Sequence, residues 1–141
     1  MATETWEPAS AALPDVDDLK AAAAVWRAHG GDDPDVVVLD EQLEPALRER
    51  LRAAMQAPAA ALAEAIAGLD DADAMDLARL LTVLEARPGF EAGARSPVVP
   101  IFRHLKARLD ADALTELARW IRAHTENRFI PHGSLRDRLR A

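Results

Sequence analysis

Apolar residues in this chain recur at helical intervals and almost nowhere alternate. Leu47, Leu51 and Met55 fall at i, i+4 and i+8. Leu77, Leu80, Leu81 and Leu84 mark a second stripe, Ile101, Phe102, Leu105 and Leu109 a third, and Leu114, Leu117, Ala118 and Ile121 a fourth. A period near 3.6 puts such residues on one face of a helix. Stripes of this kind cannot be hidden singly, so they must be buried against one another. The pattern predicts an all-α, single-domain bundle of about six helices.

The punctuation agrees. Asp15 sits before a helix through about Ala28, with Asp17 and Asp18 in its first turn and Leu19, Ala23 and Trp26 near one face. Gly30 and Gly31 stop it, and GDDPD is a loop. A second helix runs from about Leu43 to Gln56, with Pro45 in its first turn. A short Ala-rich helix spans 59–67 and ends at Gly68. Asp70 or Asp71 caps the next, which Arg87-Pro88-Gly89 ends. Ser96-Pro97 opens another helix, and Asp110 caps one that ends near His124. After the loop TENRFIPHG, Ser134 starts a short terminal helix. VVVL (36–39) is β-branched but has no partner strand in view, which predicts an extended linker burying its valines. Residues 1–13 read as a poorly ordered arm with Trp6 as an anchor, and 14–141 as the helical domain. A chain of 141 residues suits one domain burying about 68 % of its unfolded surface.

LDDADAMDLARLL (69–81) returns forty positions later as LDADALTELARWI (109–121). Leu69/Leu109, Asp70/Asp110, Leu77/Leu117, Ala78/Ala118 and Arg79/Arg119 coincide. In both places a short helix, an Asp-rich turn and a longer amphipathic helix follow in order. Forty residues is the size of a HEAT or armadillo-type unit, a comparison that rests on period alone. Caps and leucine stripes also produce such echoes unaided. Either way, two αα-hairpins should stack side by side.

The chemistry-bearing residues are sparse. Cysteine is absent, which removes disulfides, thiolate nucleophiles and Cys metal sites. The Asp clusters fail as an EF-hand: counting from Asp71, position six is Asp76 and position twelve is Thr82, where glycine and glutamate belong. Capping explains them. His124, Glu126 and His132 flank a loop at no standard metal spacing, so no metal or cofactor is expected. His29 ends a helix and His104 lies off its stripe, so both should face solvent. Ser134 is near His132 but serves as a cap. No phosphate loop, GxSxG or HExxH is present, and a non-enzymatic role is expected.

Charge is uneven. The formal net charge is −7, yet from Phe102 onward nine Arg/Lys face five Asp/Glu. The expected function is a protein-interaction module: an adaptor, accessory subunit or inhibitor of another, basic protein, which its acidic body would steer. Candidate contacts are Asp70, Asp71, Asp73 and Asp76, with Asn127, Arg128, Phe129 and His132 in the loop. The alternative is DNA binding. LTELARWIRAHTENRFIPHGSLRDRLR loosely resembles the helix-turn-helix of some regulators and transposases. That resemblance implies groove or phosphate contacts from Ser134, Arg136, Arg138 and Arg140. The connector 124–133 is longer than the usual turn, the last helix is short and the chain is acidic, so nucleic acid is not the expected partner. The start, MATETWEPASAALPD, lacks a basic segment followed by an apolar one, and no apolar run approaches a membrane span. A cytoplasmic location is expected, and Arg-rich, Lys-poor usage matches a GC-rich bacterial composition.

Overall fold

The computed structural model describes residues 14–31, 34–87, 90 and 96–125. Those residues form seven α-helices: α1 Val16–His29, α2 Val36–Gln42, α3 Pro45–Met55, α4 Ala59–Ala67, α5 Asp71–Leu84, α6 Val98–Lys106 and α7 Ala111–His124. The arm at 1–13, the loop after Thr125 and the terminal helix from Ser134 lie outside the described residues.

Four aspartates start helices by the same device. A side-chain oxygen accepts from a backbone N–H that the first turn leaves orphaned. Asp15 accepts from Asp17 at 2.8 Å, Asp35 from Val37 at 3.0 Å, Asp70 from Asp73 at 2.8 Å and Asp110 from Ala113 at 2.8 Å. α3 instead begins on Pro45, whose missing N–H costs nothing there. Ser96 is not the cap of α6, because the helix starts one residue later, at Val98. Its hydroxyl still accepts from Val98 N–H at 3.2 Å, and it donates to the carboxylate of Glu85. This buried pair ties the start of α6 to the end of α5.

VVVL is a correction. It is not an extended linker but the first half of α2, and Leu39, fully buried, is the residue it commits to the core. Val37 and Val38 remain 43 % and 40 % exposed. The Asp35 cap overrides the β-branched preference, which is worth only a few tenths of a kcal/mol per residue.

α5 is the hub. It packs against α1, α2, α6 and α7, and the α1–α5 contact is the most extensive in the described bundle. Leu77, Leu80, Leu81 and Leu84 are buried on it, and so are Ala74, Ala78 and Thr82. A helix buried around most of its girth needs such neighbours on every side. Thr82 is satisfied by donating to Ala78 O at 2.7 Å. The core continues through Leu19 of α1, Leu51 of α3, Ile66 of α4, Phe102 of α6 and Leu117 of α7, with Phe90 as an anchor from the α5–α6 connection.

The forty-residue echo has a spatial form. α4 and α6 each have 9 residues, and α5 and α7 each have 14. Like packs on like, α4 on α6 and α5 on α7. Asp70 and Asp110 cap with nearly the same backbone angles, φ −78° and ψ 173° against φ −72° and ψ 169°.

An aromatic group closes one end. The Trp26 and Trp120 rings meet edge to face at 5.3 Å, and His124 stacks on Trp120 at 4.0 Å. The Nδ1–H of His124 donates to Trp120 O at 2.8 Å. Gly30 touches this group: a Cβ there would come within 2.6 Å of the Trp26 ring. Gly30→Ala should therefore cost about 1–3 kcal/mol by overpacking, read as a lowered urea midpoint. Leu39→Ala should cost about 2–5 kcal/mol. Val38→Ala should change stability by no more than about 0.5 kcal/mol. Equal losses at 38 and 39 would contradict the orientation of α2.

Candidate interaction surface

The four aspartates singled out from the sequence are adjacent on the first half of α5, and each already has work. Asp70 is the cap. Asp71 pairs with Arg108 from the α6–α7 turn. Arg27 of α1 reaches Asp73 at 2.6 Å and Asp76 at 3.0 Å. Arg79 adds a longer contact to Asp76 at 3.7 Å while lying 5.9 Å from the Trp120 ring centroid. The row is thus an interhelix seam as well as a partly exposed surface. Asn127, Arg128, Phe129 and His132 lie outside the described residues.

Other carboxylates behave in the same way. Arg50 of α3 donates to Asp18 of α1 at 2.9 Å. Asp40 of α2 accepts from Arg48 at 2.8 Å and from Arg87, just after α5, at 3.0 Å. Hydrogen bonding to Asp73, then to Asp76, raises the Arg27 pKa above its ordinary value, and Asp18 does the same for Arg50. A raised cation pKa contributes stability that is complete below the unfolded value and fades only as pH rises through the folded one. For arginine both lie far above neutral, so the guanidinium side of these links stays charged throughout the neutral range. The guanidinium ends of Arg27, Arg50 and Arg108 are about half exposed, and solvent screening there keeps their pairs weak.

The histidines divide. His29 is exposed, as the sequence suggests. His104 is not: it is half-buried, and its Nε2 is enclosed without a hydrogen-bond partner. It lines a cleft between α6 and α4 together with Ala63 and Ile66. Glu126 and His132, named with His124 as the nearest metal-type set, fall outside the described residues. Among the described residues no three His, Cys, Asp or Glu side chains are grouped so as to hold a metal ion. No helix among them is long and apolar enough to cross a membrane.

The feature that the sequence reading did not single out is α4 and its flank. Its outward residues are Ala59, Ala60, Ala63, Glu64 and Ala67, so this surface helix carries one charge. Leu62 and Ile66 point inward. Between α4 and α6 run two clefts of about 250 and 220 Å³, which share Pro100 and Arg103. Leu62 and Val99 line the first, and Ala63, Ile66 and His104 the second. Small side chains on α4 create this relief, since alanine cannot fill the space beside the bulkier α6. On the other side of α4, toward the start of α1, a more open hollow of about 460 Å³ includes Glu64. The signal was legible in AAALAEAIA, a nine-residue helix with a single charged side chain.

No protein-family model, no curated protein and no solved structure matches this chain.

The seam and the groove separate on mutation. Asp40→Ala removes one acceptor from two arginines at a half-buried junction of α2, α3 and the end of α5. It should cost about 1–2 kcal/mol. Glu49, whose i, i+3 pair with Arg52 is exposed, should cost no more than about 0.5 kcal/mol when changed to alanine. Urea unfolding of the two variants checks the difference.

Proposed function

We propose that the chain is a non-enzymatic protein-interaction module that works by presenting a helical surface to another protein. The observation that carries this reading is the nearly uncharged outward face of α4 beside an apolar groove. A surface helix normally turns charge to water, and uncovered apolar relief on a soluble bundle favours a partner. Each cleft along the groove is smaller than the roughly 300–1,000 Å³ of a typical small-molecule site. Together they form an elongated track, which suits a peptide segment better than a compact ligand.

The acidic row supports the same function in another way. Asp71, Asp73 and Asp76 are tied up by Arg108 and Arg27, which reduces what they can offer a partner at short range. The overall charge of −7 still acts at a distance. It would raise the encounter rate with a basic protein, and added salt would lower that rate. Long-range steering belongs to the whole body in this reading, and close contact belongs to the groove.

A photo-crosslinking amino acid placed at Ala63 in cells should yield one dominant adduct with a second protein. The same residue placed at Arg119, an exposed position on α7, should not. Equal labelling at both positions, or none at Ala63, would count against the module reading.

A further inference from the structure

We infer that the α4–α6 groove takes an amphipathic helix of a partner protein, with apolar anchors at helical spacing and one carboxylate set against Arg103. This rests on the interaction-module reading and names the occupant. α4 has nine residues, which gives a track of about 13 Å at 1.5 Å per residue. That length accommodates some two and a half turns of a partner helix, enough for anchors at i, i+4 and i+7. The floor and walls, from Leu62, Ala63, Ile66, Val99 and Pro100, supply apolar contact without a hydrogen-bonding edge. An extended strand gains affinity from backbone pairing at a sheet edge. No described element offers one, since every described element is helical. A helix satisfies its own backbone and asks only for apolar contact.

Charge selects the polar group on the partner. Arg103 borders both clefts and is exposed. Arg27, Arg48, Arg50, Arg52, Arg79, Arg87 and Arg108 each pair with a carboxylate of this chain, whereas Arg103, like Arg119 and Arg122 on α7, has no such pair among the described residues, and of these three it alone borders the clefts. No acidic residue lines either cleft, and Glu64 lies on the far flank of α4. A cation at the rim of an apolar groove pairs bidentately with a carboxylate. That pair would fix the register of the incoming helix. A second copy of this chain is a poorer occupant, because two bodies of −7 each repel.

The test uses a displayed library of helical peptides selected against the 141-residue chain and two variants. Arg103→Glu reverses the rim charge. Ala63→Arg fills the groove from an exposed helix position, and far-UV circular dichroism with a urea midpoint verifies that each variant is folded. The wild type should select apolar residues at helical spacing with Asp or Glu at one fixed register. Arg103→Glu should select Lys or Arg at that same register. Ala63→Arg should bind the wild-type peptides at least about tenfold more weakly. Peptides whose charged position does not follow residue 103 would overturn the Arg103 assignment. Peptides that bind Ala63→Arg unchanged but are lost in a Val37→Asp, Val38→Asp protein would move the docking surface to α2. The groove proposal would then fall, and with it the α4 surface that carries the interaction reading, leaving an interaction through α2 in its place. A library that yields no binder would overturn the groove proposal. The Ala63 crosslink would then decide the module reading separately. A wild-type dimer in sedimentation, dissolved by Ala63→Arg, would show a second copy in the groove and overturn a foreign partner.

Discussion

Everything in this bundle depends on the burial of α5. It runs through the middle of the described residues and holds α1, α2, α6 and α7 to one core. That position constrains its composition on all sides. Bulk comes from Leu77, Leu80, Leu81 and Leu84, while Ala74 and Ala78, both fully buried, keep two positions small. α1 answers with its own fully buried alanines, Ala22 and Ala23. Small residues let two helix axes approach, and close approach multiplies the dispersion contacts of everything nearby. The alanine that fills the composition therefore has two fates. In α1 and α5 it is the means of close packing, and in α4 it is left on the outside.

The charges follow from the same geometry. Once α1 lies along α5, Arg27 falls beside Asp73 and Asp76. Once α6 turns into α7, Arg108 falls beside Asp71. These pairs span 46, 49 and 37 positions of sequence. Individually they are weak in water. Their effect is to fix which helix edges meet, since a slid or rotated α1 would leave Arg27 without its carboxylates. An acidic chain thus carries much of its acid as internal fastening.

What could be read from the sequence was what depends on neighbours three or four positions away. Helix stripes, the Asp15, Asp70 and Asp110 caps and the 59–67 helix are all local events. So is the forty-residue echo, which reappears as two 9-then-14-residue units. VVVL misled because β-branching spoke louder than the cap before it. Yet Asp35 ahead of Val36, Leu39 and Leu43 at i, i+3 and i+7 was a helix signal in plain view. The occupied state of Asp71, Asp73 and Asp76 was not legible at all, because their partners are remote. His104 failed for the same reason: its own helix leaves it off the stripe, and the cleft it lines is completed by α4, remote in sequence.

The groove is the consequence of stacking unequal helices. α5 is long and lies where neighbours cover it, while α4 packs only on α1 and α6 among the more extensive contacts. α6 brings Val99, Pro100 and Arg103 to that edge, and α4 brings alanine. A large side chain at position 59 or 63 would have filled the space and stabilised the monomer by burying more apolar surface. Leucine is as good a helix former as this site requires, so helix propensity does not explain its absence. The small residues lower the relief on one side of a helix whose other side is firmly buried through Leu62 and Ile66. That arrangement costs monomer stability and leaves a track whose walls are held by the core. A partner helix would meet a surface already in its bound shape, with little side-chain entropy to lose on alanine.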